Sequence, residues 1–174
     1  MEASSTPKSA TNGPGPLVIA YGSLLRQDDA MAWRAAGLLP GEVIREHQLT
    51  PELVTHLQKA SLVIFIDAAV DLSPGSIRLK ALHHAKLQPW SHHILPEQLL
   101  TLAEQVNGEA PPAFLISGGV QDTGLSEQMT ETGKKCAATM ADLARRLMYG
   151  KRPFCPGSPI DDLTNVVIND NIGG

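Results

Sequence analysis

The sequence predicts an α/β fold, a three-layer α/β/α sandwich around a mostly parallel twisted sheet. Three observations carry that prediction. Apolar runs of strand length recur at Leu17 to Tyr21, Leu62 to Ile66 and Ala113 to Ile116. Segments with apolar residues at helical spacing lie between and after them, which is the pattern of strands joined by helical crossovers. No internal repeat interrupts the alternation. With 174 residues, 43% of them hydrophobic, the chain suits one domain. That domain is placed at 17–150, between a flexible lead-in at 1–16 and an extended or disordered tail at 151–174.

Each element follows from its residues. Met1 to Pro16 is rich in Ser, Thr, Gly and Pro and too poor in large apolar side chains to bury itself. Order begins with the strand Leu17 to Tyr21, turns at Gly22-Ser23, and continues in a helix from Asp28 to Leu39 that buries Met31, Ala35, Leu38 and Leu39. Pro40-Gly41 stops that helix. Val43-Ile44 suits a short strand, and Thr50-Pro51 opens a helix with Leu53, Val54 and Leu57 on one face. The unbroken apolar run Leu62 to Ile66 reads as a strand covered on both faces, and it ends in Asp67.

After the Pro74-Gly75 turn, Ile77, Leu79 and Ala81 alternate with Arg78 and Lys80, the pattern of a strand near a sheet edge with one wet face. Pro96 opens a helix whose apolar face holds Leu99, Leu100, Ala103 and Val106, and Asn107-Gly108 closes it. Ala113 to Ile116 runs into Ser117-Gly118-Gly119, which could bind an anion but reads more readily as a tight turn. The last helix runs from Glu127 or Thr130 to Tyr149, with Cys136, Met140, Leu143, Ala144 and Leu147 at helical spacing. Arg145 and Arg146 lie in its final turn and Gly150 ends it.

Composition removes several functions. A formal net charge of −4 with no basic cluster argues against nucleic-acid binding. No apolar stretch reaches membrane-spanning length and no signal peptide opens the chain, so a soluble, cytoplasmic protein is expected. The two cysteines, Cys136 and Cys155, form no CxxC and indicate neither a disulfide framework nor a thiolate zinc site.

The chemistry concentrates at three places: the acidic pair Asp28-Asp29 beyond the first strand, Asp67 at the end of a later one, and His92-His93. Residues just past the carboxyl ends of parallel strands meet in one crevice. Two carboxylates and an imidazole form an O,O,N set that can hold a borderline divalent metal and leave coordination positions open. Each residue also has a plainer reading. Asp28 suits a helix N-terminal cap and Asp67 a turn. His47 and His56 suit solvent-facing helix flanks, His83, His84 and His93 suit the surface or packing, and Trp33 and Trp90 suit packing, with Trp90 a candidate rim residue. No GxSxG or HExxH occurs, and neither cysteine lies in a nucleophile motif. A phospho-acceptor receiver domain also places acidic residues after strand one and an Asp after a later strand. Here Gly22 to Gln27 intervene, and no Lys-Pro pair follows the last buried strand.

Read together, Gly22-Ser23-Leu24-Leu25-Arg26-Gln27-Asp28-Asp29, His47 to Leu53, Phe65-Ile66-Asp67-Ala68, Ser91-His92-His93 with Leu99-Leu100, and Gly118-Gly119-Val120-Gln121 resemble, in order, the motifs of the hydrogenase maturation proteases. The resemblance spans about Leu17 to Met148. It implies an endopeptidase, grouped with the aspartic-type peptidases, that removes the C-terminal extension of a nickel-iron hydrogenase large-subunit precursor after nickel insertion. The family's metal-sensing trio falls on Asp29, Asp67 and His92, with His92 preferred to His93 because Ile94 and Leu100 then occupy the family's apolar positions. The nickel belongs to the precursor, and the free enzyme need hold none. The implied partner is the nickel-loaded precursor and the implied state a monomer. A protein keeping the fold and trio while binding nickel-loaded precursor without cutting it is the alternative.

Overall fold

The first apolar run forms β1 (Gly15–Tyr21), with Leu17 to Ala20 wholly buried. The computed structural model describes residues 14–23, 27–86, 93–121, 128–150 and 166–169, with the backbone alone at 27, 29 and 166–169. On one side β1 pairs in parallel with β2 (Glu42–Glu46), and on the other with β3 (Ala60–Ala69). Beyond β3 the sheet adds β4 (Ser76–Leu82) and β5 (Ala113–Gly119): β3 runs parallel to β5, and β4 lies antiparallel on β5's far side. A last strand, β6 (Val166–Asn169), pairs antiparallel with β4, giving the order β2-β1-β3-β5-β4-β6.

Strand alternation divides the core into two layers. Val18, Ala20, Ile64, Ile66 and Ile116 face α1 (Met31–Gly37) on one side of the sheet. Leu17, Ile19, Val63, Phe65 and Ala113 face α2 (Val54–Leu57) and α3 (Pro96–Asn107) on the other. The first layer also holds α4 (Glu131–Tyr149), through Cys136, Ala137, Met140, Ala141 and Ala144. The expected sandwich is therefore present. Among the described residues no helix is long and apolar enough to cross a membrane.

Several local expectations are corrected. The helix foreseen over Asp28 to Leu39 is a 3-10 turn, Gln27–Ala30, followed by α1, and Leu38 at its C-cap is 50% exposed because the chain turns away there. Val106 is 66% exposed: α3 packs through Leu99, Leu100 and Ala103, and the stripe continues to Asn107, one residue further round. The apolar island Val166-Val167-Ile168 lies opposite Leu79, Arg78 and Ile77 as the edge strand. The receiver alternative fails on topology, because receivers wind in the order 2-1-3-4-5 and here β4 is antiparallel and outside β5.

Gly118 and Gly119 form no turn. They continue β5, opposite Ala68 and Ala69 of β3. A Cβ on Gly118 would press into the sulfurs of Met31, Met140 and Cys136, and one on Gly119 into the Ser73 carbonyl oxygen. Backbone cannot yield as a side-chain tip can, so Gly119→Ala is expected to cost about 3 kcal/mol. Urea unfolding checks this, and an unchanged midpoint would contradict the close approach.

Candidate active site at the carboxyl edge of the sheet

The crossover from β1 leads to β2 on one side, while β3 lies on the other, so the topological switch point is the gap between β1 and β3. Open α/β sheets bind ligands outside the carboxyl ends of the strands at such a point. Two chain segments arrive there: the 3-10 turn that carries Asp28 and Asp29, and the end of β3 with Asp67.

Asp67 is partly buried, and the strand runs two residues past it. Its Oδ1 accepts the Ala68 N–H at 2.8 Å. Because Phe65 belongs to the α2–α3 layer, Asp67 points to the same face by alternation, where Tyr21 also packs. Tyr21 lies one residue past the Ala20–Ile66 pair, and its hydroxyl donates to the Asp67 carboxylate. Across the sheet Asp67 lies opposite Ser117, and Ser117 opposite Arg78, whose guanidinium is clamped on Asp71 at 2.7 and 3.2 Å. A polar row of Tyr21, Asp67, Ser117 and Arg78 thus crosses four strands.

The Tyr21 phenol keeps its proton far above its usual range, first because burial disfavours the phenolate, then because Asp67 both repels that charge and accepts the hydroxyl, and last because of Glu97. Unfolded, the same phenol ionises near pH 10. The stability it contributes is complete below about pH 10 and falls as pH rises beyond that, where only the unfolded chain releases the proton. Tyr21→Phe is expected to remove this alkaline slope and to cost about 1.5–3 kcal/mol at neutral pH, the worth of a hydrogen bond to a charged group. Parallel stability curves for parent and variant between pH 9 and 11 would refute the pairing.

Asp28 has a different task. It is wholly buried, and its carboxylate accepts the Gln121 N–H at 3.0 Å, the Thr130 N–H at 3.0 Å and the Thr130 hydroxyl at 2.9 Å. Thr130 in turn is the N-cap of α4, its Oγ1 accepting the Gly133 N–H at 3.0 Å. The expected cap of its own helix is therefore corrected: α1 begins after Ala30 without a side-chain cap, and Asp28 ties the β1 exit to the start of α4 instead. A Cβ on Gly133 would collide with that carboxylate, so the glycine is what lets Asp28 in. Asp28 and Asp67 lie toward opposite faces of the sheet, Asp28 with α4 and Asp67 with α2 and α3.

Of the proposed trio, the structure places Asp67 at the crevice and the backbone of Asp29 on the 3-10 turn beside it. His92 and the side chain of Asp29 lie outside the described residues, as does Trp90. Among the described residues no three His, Cys, Asp or Glu side chains gather as a metal-holding group. His93 is exposed, as are His47, His56, His83 and His84. Cys136 is buried with its Sγ 3.9 Å from the Ser76 carbonyl oxygen. Sequence reading missed Tyr21 as the partner of Asp67, although a phenol closing an apolar strand was a usable signal.

No family model matches the chain, and no curated protein matches it in sequence. Solved structures do match. The hydrogenase maturating endopeptidase HybD from E. coli aligns over 76% of this chain and 91% of its own, with a TM-score of 0.59 at 18% identity. The [NiFe] hydrogenase maturation protease HycI from Thermococcus kodakarensis aligns over 79% and 94%, at 0.58 and 23% identity. The hydrogenase 2 maturation peptidase from Thaumarchaeota archaeon aligns over 79% and 99%, at 0.57 and 20% identity. The chain has the fold of the hydrogenase maturation proteases. In a hydrogenase maturation protease fold, the carboxyl edge described above is where β1, β3 and β5 present their ends together.

Proposed function

We propose that this chain is an endopeptidase that removes the C-terminal extension of a nickel-iron hydrogenase large-subunit precursor once nickel is in place. The observation that supports it best is the position of Asp67, at the carboxyl end of the central strand and beside the exit of β1, in a fold shared with proteases of hydrogenase maturation. Asp29, Asp67 and His92 are the acting residues in this reading. The metal comes with the substrate, and an O,O,N set leaves positions open for the precursor's own ligands.

Amide hydrolysis needs a water that loses a proton as it attacks, and a leaving nitrogen that gains one. A carboxylate at the crevice can take the first proton and return it to the amine, which is the sense in which the enzyme is of the aspartic type. Asp67 is oriented for this by Tyr21 and by the Ala68 N–H, so its carboxylate keeps one orientation in every turnover. His92 completes the set. The protein acts as a monomer in the cytoplasm.

Intact mass of a nickel-loaded precursor, with and without this protein and beside a nickel-free precursor, tests the proposal. Loss of a C-terminal peptide only from the nickel-loaded form is the expected result. Failure of the folded protein to cut either form would overturn it and leave nickel-dependent binding without cleavage.

A further inference from the structure

Next to the crevice, on the α1–α4 side of the sheet, a groove of about 840 Å³ is lined by Ala30, Trp33, Arg34, Arg45, Met129 and Lys134, with Gln128 and Glu131 at its wall. Its charge runs against that of the chain. Three cations meet one carboxylate there, in a protein whose formal net charge is −4. Lys134 is held by Glu131 at 2.6 Å, whereas among the described residues neither Arg34 nor Arg45 is in an ion pair. The Glu131 carboxyl is itself held below its usual range by Lys134, with smaller help from Lys135 and Arg34, so the one anion present is already engaged.

Trp33 gives the groove a flat aromatic wall. Trp33 Nε1 is buried and has no hydrogen-bond partner among the described residues, although the indole is fixed against His47 with ring centres 5.5 Å apart. Two guanidiniums beside an indole offer planar, forked donors suited to carboxylates. The groove also begins at Ala30, directly after Asp29 on the 3-10 turn, which puts one end of it next to the turn that carries the acidic pair.

We propose that this groove holds a carboxylate-bearing segment of the polypeptide substrate, the part on the C-terminal side of the cut bond, which by necessity carries a free α-carboxylate. The identity of that segment rests on the protease reading, but the anion preference of the groove does not. A peptide fits better than a nucleic acid, because the cationic surface is a short groove on an acidic protein and not an extended stripe.

The test is fluorescence anisotropy of the full chain with rhodamine-labelled octaglutamate bearing a free C-terminus, beside the octaglutamine amide. The parent is expected to bind octaglutamate at least ten-fold more tightly, and the double variant Arg34→Glu with Arg45→Glu to lose that preference while unfolding at the parent's midpoint, since both side chains are exposed. Equal binding of the two peptides by the parent, or an unchanged preference in the double variant, overturns the groove. With the nickel-loaded precursor, the same variant should raise KM about ten-fold and leave kcat near the parent's. Cleavage with an unaltered KM overturns the groove and leaves the protease. Octaglutamate preference lost in the variant, with no cleavage by either protein, supports the groove and overturns the protease.

Discussion

Alanine in place of Asp28 is expected to destabilise the fold by about 3–5 kcal/mol, the usual cost of removing one member of a buried charged hydrogen-bond network. The carboxylate is wholly buried and satisfies two backbone N–H groups and one hydroxyl, contributed by Gln121 and Thr130. Alanine would strand all three donors and open a void beside Gly133. For a domain of this size the loss corresponds to a fall in Tm on the order of 10 °C. Asp28→Asn should cost less, since one acceptor oxygen remains. Thr130→Ala should cost about 1 kcal/mol as a lost N-cap, plus one bond to Asp28. Chemical unfolding of the three variants checks the order. A cost under 1 kcal/mol for Asp28→Ala would mean that water replaces the carboxylate and that the tie to α4 does not stabilise the fold.

The second large effect is on activity. Asp67→Asn preserves volume and one acceptor for Tyr21 and Ala68 while removing the charge, so unfolding should move by about 1–2 kcal/mol, the difference between a charged and a neutral acceptor, and the rate of precursor cleavage should fall by about 10²–10⁴-fold, the range for loss of a positioned acid or base. Asp29→Asn should behave alike. If the two carboxylates act as a unit, the double variant should be little slower than either single one. Single-turnover mass spectrometry of the nickel-loaded precursor measures all three. Full processing by the Asp67→Asn protein would remove Asp67 from the reaction.

How far this was legible in the chain depends on how local the cause was. The strands at Leu17, Leu62 and Ala113 and the helix opened by Pro96 follow from neighbouring residues, because periodicity and missing backbone donors act within a turn or two. The helix C-caps at Gly108, which is left-handed, and at Gly150 were readable for the same reason. The place of Asp67 near the carboxyl end of β3 was legible too, since the apolar run that makes the strand leads directly into it.

What escaped was set by distant partners. Asp28 looks like a helix-start residue until Gln121 and Thr130, 93 and 102 positions away, are brought against it. Gly118-Gly119 reads as a turn because the reason for the glycines lies in Met31, Cys136, Met140 and Ser73, none of them a sequence neighbour. Val106 and Leu38 carry the apolar signal of a core residue and yet face water, Val106 because it lies just off the stripe that α3 buries and Leu38 because α1 ends there and the chain turns away. The antiparallel seat of β4, and the strand that Val166 to Ile168 add beyond it, follow from pairing that no local pattern encodes. Element type and the chemistry at strand ends were thus decided along the chain, by short-range sterics and periodicity. Strand order, the α4 clamp, the Tyr21–Asp67 pair and the cationic groove were decided across it, by packing between segments that only the folded sheet makes neighbours.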